Sequence, residues 1–232
     1  MARQARIVVP GIPHNVCLRG NNRRRLFSSL PDRLRFVRCL EYGIKHSGCA
    51  IHQLTLMNNH VHLVARPPTR EALSCLVGRT CQQYAQRRNA DRAASGKLFE
   101  ERFYSAVIED DAALMSVTLY NDANGHRAGL AAAAFGHEWS TGPLHAGVAG
   151  GRIPVRLWTP SPWYRALGAS PDARAAAYRD LIAAYVSHAK VVESGHEQGG
   201  VGPRRDRYTL RLERPDRSLA REDFRGGLGK TR

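Results

Sequence analysis

The sequence has few of the features that build disulfide frameworks or membrane spans. Its 232 residues include only five cysteines, an odd number with no C-x-x-C pair, and most of them fall on apolar periodic positions. We therefore expect reduced, buried thiols. The longest late apolar run, at residues 128–135, is far shorter than the roughly 18 residues that a membrane span needs. We expect no signal peptide, no transmembrane helix, no membrane partner and a cytoplasmic location.

Acidic residues are also scarce. Lys and Arg number 35 against 20 Asp and Glu, which gives a net charge of +15. The first 38 residues hold nine arginines and a single acid, Asp32, and the densest cluster is RGNNRRR at residues 19–25. Arginine donates bidentately to phosphate, so a polyanion is the natural partner. Composition alone leaves a solvated basic surface as an equal alternative.

The first two elements of the chain are a strand and a helix. Residues 12–20 alternate apolar and polar side chains, the period of a strand. Residues 28–48 carry apolar positions at helical spacing, with serine at the start, Pro31 in the first turn and Gly48 at the end. Both helix ends are therefore marked.

A hairpin and a second helix come next. Residues 49–57 and 60–67 are rich in strand formers and are joined by the turn residues Asn58 and Asn59. Helical spacing returns at residues 69–90, where Thr69 is placed to cap the helix.

A fourth strand and a third helix complete the pattern. Residues 97–110 predict the strand, and Asp110 and Asp111 open a helix that we expect to stop at Gly125. The order predicts an α+β fold, a ferredoxin-like β-α-β-β-α-β sandwich with an extra helix. Its antiparallel sheet carries the helices on one face and leaves the other face open for a ligand.

The periodic signal weakens beyond residue 126. We predict a domain at residues 1–145, a helical extension at 146–194 with a helix near 171–188, and a basic, disordered tail at 195–232.

Two histidines stand one residue apart in the strand that follows the hairpin turn. Residues i and i+2 of a strand point to the same face, so His60 and His62 lie side by side. Such a pair is as consistent with a metal site as with structural histidines, and two ligands are too few. Tyr120 and Asn124 share a helix face four residues apart and offer further groups.

These motifs resemble the REP-associated tyrosine transposases, which are HUH single-tyrosine transposases of the insertion-sequence superfamily. The resemblance covers residues 6 to about 140. It rests on the arginine-rich segment at residues 6–27 and on the His-hydrophobe-His (HUH) motif of the strand at residues 60–62. It also rests on the segment GKLFEERFYSAVIEDD, the spacing of Tyr120 and Asn124 before RAGL, and Trp139-Ser140. The later ARAAAYRDL is also similar.

The resemblance implies a bacterial, metal-dependent enzyme that nicks and rejoins single-stranded DNA. Its partners are palindromic repeat hairpins, and it acts as a monomer or homodimer. Tyr120 would be the nucleophile, forming a 5′-phosphotyrosine, and His60, His62 and Asn124 would bind Mg²⁺ or Mn²⁺. The residues expected to contact DNA are Arg19, Asn21, Asn22, Arg23, Arg24, Arg25 and Arg102, although turn chemistry explains the two asparagines equally well.

The chain departs from the family pattern at two places. Asn58 stands where a proline is common, and Gly125-His126 follows Asn124 where Pro-Val is common. These changes affect the expected end of the helix and so the distance from Asn124 to a metal.

Two other functions remain open. The chain could be a non-catalytic, domesticated nucleic-acid-binding protein with the same fold, or an RNA-binding domain of this layout. The intact set of candidate catalytic residues favours the enzyme, and no aromatic RNA-binding signature is present. We expect His14 to be structural and most of Phe99, Phe103 and Tyr104 to lie in the core.

Overall fold

The computed structural model describes residues 7–100 and 102–196, with side chains to residue 188. The predicted tail at 195–232 therefore lies almost wholly outside the described residues. In chain order the elements are β1 His14–Arg19, α1 Leu30–Ser47, β2 Ala50–Leu56, β3 His60–Arg66, α2 Ala72–Asp91, β4 Tyr104–Val107, α3 Asp111–Arg127, α4 Gly142–His145, α5 Pro162–Ala166 and α6 Pro171–His196, with 3₁₀ turns at Asn21–Arg23 and Val155–Leu157.

The four strands form one antiparallel sheet in the order β2-β3-β1-β4. One face packs on α1 and α2 through an apolar core. The predicted ferredoxin-like α+β fold is confirmed. Buried members of this core include Val16, Leu18, Phe36, Leu40, Leu54, Leu63, Leu73 and Leu76.

The ends of α1 follow the sequence signals. The Ser29 side chain accepts a hydrogen bond from the backbone N–H of Asp32 at 3.4 Å, and Pro31 lies in the first turn. Gly48 ends the helix with φ 66°, a left-handed conformation in which glycine has no Cβ penalty.

A bulge in β2 assigns side chains to the two faces of the sheet. Asn58 and Asn59 turn the β2–β3 hairpin, as predicted, and the register shifts between Ile51 and Gln53. One extra residue reverses the alternation of a strand. Ile51 therefore points into the core with α1 and α2, whereas Gln53 points to the other face.

The second sheet face is not fully open. Helix α3 packs on it, and the Asn121 amide donates to Gln53 Oε1 at 3.1 Å while Thr55 Oγ1 donates to the Asn121 carbonyl at 3.0 Å. The expectation that all helices share one face is thus wrong for α3. Gln53 and Thr55 on β2 are buried polar residues, and they form hydrogen bonds with Asn121, a buried polar residue of α3.

Two elements start later than the sequence predicts. The strand predicted at 97–110 is ordered as β4 only from Tyr104, and Phe99 makes just an isolated bridge to Gly20. Helix α2 begins at Ala72, after a Glu71 N-cap without a side-chain bond, so Thr69 is not the cap. Strand-forming and capping residues alone do not fix where tertiary packing starts an element.

Gly125 does not end α3, which continues to Arg127. A Cβ at residue 125 would lie 2.4 Å from the Cβ of His137, so this glycine permits the close approach of a buried segment. The glycine in a left-handed conformation that follows the end of α3 is Gly129, with φ 69°.

The outer edge of β2 is paired by a short segment from later in the chain. The Leu56 N–H donates to the Trp139 carbonyl and the Thr141 N–H donates to the Leu54 carbonyl, both at 2.8 Å. Thr55 and Ser140 form the bridge between them.

The five cysteines are free. Cys17, Cys39 and Cys49 are buried as expected, whereas Cys75 and Cys81 are only half-buried. Within the described residues, none of the helices combines the length and apolar character needed to cross a membrane.

The described residues up to Ser187 belong to one compact unit. Within this unit, Tyr178 and Ile182 of α6 join a second apolar cluster with Leu114 and Val117 of α3. The boundaries that we predict at residues 145 and 194 remain predictions.

Candidate active site

The two strand histidines lie side by side on the face that carries α3. Their ring centroids are 4.8 Å apart with an interplanar angle of 86°. His60 pairs with Arg19 of β1, and His62 lies between Cys17 of β1 and Thr55 of β2. The i, i+2 spacing on a strand produces this arrangement, as the sequence predicts.

Both imidazoles are held neutral. Burial, with a contribution from Arg19, lowers the pKa of His60 to about 4. Burial, followed by the charges of His60, Arg19 and Arg127, lowers the pKa of His62 to about 3. The His60 Nδ1–H donates to Asn59 Oδ1 at 2.8 Å, which leaves the lone pair on Nε2.

Tyr120 of α3 lies beside His62. Its ring centroid lies 6.3 Å from that of His62, with the two rings nearly perpendicular. The Arg127 guanidinium lies 4.8 Å from the Tyr120 ring centroid. Sequence reasoning missed Arg127, although its position two turns after Tyr120 places it on the same helix face.

Asn124 lies one turn after Tyr120 and is half-buried. Its carbonyl accepts from the Ala128 N–H at 3.0 Å, so Asn124 is a regular helical residue despite the unusual Gly125-His126 that follows. Its Nδ2 and the Nδ1 of His62 are buried without hydrogen-bond partners. Such atoms are rare in native proteins and call for an explanation.

The residues present fit a divalent cation. Two neutral imidazoles and an amide that can offer its oxygen are ligands that such ions accept. Among the described residues no group of three His, Cys, Asp or Glu side chains is placed to hold a metal ion. Asn124 stays the predicted third ligand.

Asp122, between Tyr120 and Asn124 on α3, is fully buried in a hydrogen-bond network that the sequence did not predict. Five side chains donate to its carboxylate: Gln53 Nε2 at 3.0 Å, Ser140 Oγ at 3.2 Å, Thr141 Oγ1 at 3.3 Å, His145 Nδ1 at 2.8 Å and the Tyr178 hydroxyl at 2.7 Å. Because these donors come from β2, the segment before α4, α4 and α6, the network fixes α3 against four parts of the fold.

The His145 ring anchors the far side of this network. It stacks on Tyr178 with centroids 4.9 Å apart, and its Nε2 accepts from Trp158 Nε1 at 3.3 Å. The rotation of α3, and with it the direction of Tyr120 and Asn124, is thereby set.

Replacing Asp122 with alanine is expected to lower the free energy of unfolding by about 3 kcal/mol or more, since several buried donors lose their acceptor. Urea denaturation measures the change. Asp91→Ala is the matched control, because Asp91 is half-exposed and bonded to Arg35, a pair worth at most about 1 kcal/mol. Equal losses in the two variants would contradict the role assigned to the network.

The arginine cluster is attached to the hairpin that precedes the histidines. The Gly20 N–H donates to the Asn59 carbonyl at 2.9 Å, and the Leu26 N–H donates to the Asn58 carbonyl at 2.8 Å. The three arginines of this loop expose their side chains: Arg23, Arg24 and Arg25. The cluster thus lies beside the start of β3.

Asn21 and Asn22 lie in the 3₁₀ turn of this loop. Asn22 has φ 52° and ψ 36°, so the turn chemistry considered for it accounts for its presence, while its side chain is exposed. Asn21 is half-buried, and its N–H donates to the Leu98 carbonyl at 2.9 Å.

Arg19 and Arg102 line one cavity of about 300 Å³ together with Phe99 and Phe103. Arg102 precedes β4 instead of lying on it, which corrects the predicted strand position. The structure therefore brings Arg19 and Arg102 together.

Asn58, which stands where a proline is common in the family, has a structural role. Its Oδ1 accepts from Arg33 Nη2 at 2.7 Å, and Arg33 lies 5.7 Å from the Trp139 ring. His14 is structural, as expected: it is fully buried, and its Nε2 accepts from the Val9 N–H at 3.3 Å.

The aromatic residues near β4 divide between the core and the surface. Phe99 and Phe103 pack against the core as partly buried residues. Tyr104 is 38% exposed, so two of the three rings belong to the core, which agrees with the expectation for most of them. Tyr104 lies on the sheet face of the histidines, because Cys17 pairs with both His62 and Tyr104.

Comparison with known proteins finds a family match in the first half of the chain. The sequence matches the family model described as "Transposase IS200 like" over residues 10–121, a range that contains His60, His62 and Tyr120 but ends before Asn124. No curated protein matches the chain.

Two solved structures are similar. A REP-associated tyrosine transposase bound to a REP hairpin shares 14% identity with a TM-score of 0.55, over 69% of this chain and 93% of its own. A Deinococcus radiodurans R1 protein assigned as a transposase shares 14% identity with a TM-score of 0.37, over 51% of this chain and 95% of its own. Residues 10–121 thus match the IS200-like transposase family, as the motifs predicted, and the shared fold agrees with that match.

Proposed function

We propose that this protein nicks and rejoins single-stranded DNA at repeat hairpins through a covalent bond to Tyr120. The observation that carries the proposal is the position of Tyr120 beside His62, with ring centroids 6.3 Å apart, next to the second histidine of the pair. A phenol hydroxyl beside neutral metal-ligand groups suits phosphoryl transfer. The family and the fold support a DNA-processing activity of this kind.

In the proposed reaction the Tyr120 hydroxyl oxygen attacks the scissile phosphorus. A bond forms between that oxygen and the 5′-phosphate, the bond from phosphorus to the 3′-oxygen breaks, and the phenol proton is released. The leaving oxygen takes up a proton and becomes a 3′-hydroxyl. The reverse attack by a 3′-hydroxyl rejoins a strand and frees Tyr120, so no ATP is needed.

His60, His62 and Asn124 would hold Mg²⁺ or Mn²⁺. When bound, the ion supplies Lewis-acid polarisation of the phosphate and stabilises charge on its oxygens. His60 is oriented by Asn59, and Asn124 is oriented by the helix that Asp122 anchors. These contacts fix the ligand directions before DNA binds.

Positive charge surrounds the reacting atoms. Arg127 lies against the Tyr120 ring, and Arg19 is the strand neighbour of His60. Guanidinium groups stabilise the negative charge of a phosphate during transfer. We propose that the protein acts in the cytoplasm and that its partner is DNA. A hairpin is the proposed form of that DNA, because the similar REP-associated transposase is bound to one.

The exposed arginine cluster is expected to grip the phosphates of the hairpin. Replacing Arg23, Arg24 and Arg25 with alanine is expected to weaken binding and to reduce the slope of log K against log[salt] by up to about 0.7 per lost contact on single strands. Fluorescence anisotropy at several salt concentrations measures the slope. A slope identical to that of the wild type would remove the cluster from the interface.

The direct test of the function is a covalent product. The protein is incubated with labelled single-stranded repeat hairpins and Mn²⁺, and the mixture is denatured and run on a gel. Labelled DNA that migrates with the protein supports the proposal. Hairpin binding without any adduct or cleavage would instead support the non-catalytic binding protein.

A further inference from the structure

Tyr104 exposes a large aromatic ring close to the candidate active site. It is 38% exposed although it is the first residue of a sheet strand. Side chains that face each other across an antiparallel sheet share one face. Thr55, His62, Cys17 and Tyr104 therefore form one row across the four strands.

The row places Tyr104 two strands from His62, about 10 Å away at roughly 4.8 Å per strand. Helix α3 covers the β2 end of this face through Gln53 and Thr55. Tyr104 stands at the opposite end, on the edge strand β4. Its exposure shows that this end of the face remains accessible.

The surroundings of Tyr104 suit a ligand that combines negative charge with flat rings. Arg19 follows Cys17 by two residues on the neighbouring strand and so shares the face, and Arg127 lies over the nearby Tyr120. The residue between Tyr104 and His62 is Cys17, which has a small, buried side chain. The sheet face between His62 and Tyr104 therefore has too little apolar surface to bind a helix of another protein.

We propose that the Tyr104 ring stacks an unpaired base of the same DNA strand whose phosphate reaches Tyr120. This inference rests on the proposed function, because it uses the same strand and the same site. Stacking of a base on an aromatic side chain requires the ring and tolerates any base. The Tyr104 hydroxyl has no part in it.

The test compares Tyr104→Ala, Tyr104→Phe and Tyr42→Ala in the full chain. Tyr42 is the matched control, because it is 36% exposed on α1, on the other side of the sheet. Binding is measured by anisotropy, without metal so that no cleavage occurs. Two DNAs are used, a hairpin with a single-stranded flank and the same hairpin with an abasic flank of equal charge.

We expect Tyr104→Ala to weaken binding of the flanked hairpin by about 5-fold to 150-fold, the range for the loss of one stacked base. Binding of the abasic hairpin changes little, because no base is there to stack. Tyr104→Phe and Tyr42→Ala bind the flanked hairpin as the wild type does. A 2-aminopurine at the stacked position loses its fluorescence quenching only in Tyr104→Ala.

Three results would overturn the inference. Tyr104→Ala could bind the flanked hairpin normally, it could lose equal affinity for both DNAs, or Tyr104→Phe could lose as much as the alanine variant. The proposed function is judged separately, by whether the wild type forms a covalent adduct in Mn²⁺. A wild type that shows the stacking effect without an adduct would refute the enzyme while supporting the role of Tyr104.

Discussion

Tyr120→Phe is expected to fold, to bind hairpin DNA and to form no covalent adduct. Phenylalanine keeps the ring that lies beside His62 and under Arg127, so the packing of α3 is retained. The attacking oxygen is gone, and cleavage falls below detection. Gel mobility of end-labelled hairpin after denaturation measures both the adduct and the nick.

This variant separates the proposed mechanism from hydrolysis by an activated water at the same histidines. A hydrolytic enzyme would still cut after Tyr120→Phe and would leave no protein on the 5′ end. Tyr42→Phe, on α1, is the control and keeps full activity. Persistence of the adduct in Tyr120→Phe would refute the assignment of the nucleophile and direct attention to Tyr104, since Tyr84 is buried and donates to the Leu26 carbonyl at 2.6 Å.

Replacement of both His60 and His62 with alanine is expected to lower cleavage by about 10³-fold or more, because metal stabilisation of a phosphoryl transition state is worth several kcal/mol. Hairpin binding is retained, since the exposed arginines belong to a different loop. Cleavage is followed on gels, and Mn²⁺ binding is followed by electron paramagnetic resonance of the free ion.

His46→Ala is the control for this variant, because His46 is an exposed histidine on α1. It should leave both cleavage and Mn²⁺ binding unchanged. Full cleavage by the double variant in Mg²⁺ or Mn²⁺ would exclude the strand histidines as the metal site. If the double variant lost cleavage but still bound Mn²⁺ as the wild type does, His60 and His62 would have another role in the reaction.

Local signals were sufficient for the elements whose ends are chemically marked. The serine cap and Gly48 of α1, the Asn58-Asn59 turn and the Asp110 cap of α3 each satisfy a backbone requirement within a few residues. The same locality explains the histidine pair, since the alternation of a strand alone directs both rings to one face. Such features need no knowledge of the rest of the fold.

Features that depend on distant contacts were not predictable from the sequence. Gly125 looks like a helix stop, but its lack of a side chain serves the contact with His137. The strand signal before Tyr104 yields only the isolated bridge between Phe99 and Gly20, which lies about 80 residues earlier in the chain. The acceptor role of Asp122 requires five donors spread from residue 53 to residue 178, a constellation that no periodicity reveals.

The segment paired to β2 also bears on how copies of this protein can meet. An unpaired strand edge is a template for pairing between molecules and so for aggregation. The outer edge of β2 is occupied by the Trp139 and Thr141 backbone, and the opposite edge is β4, a strand of only four residues. Within the described part of the chain, this sheet therefore offers little free edge at which strands of separate copies could pair.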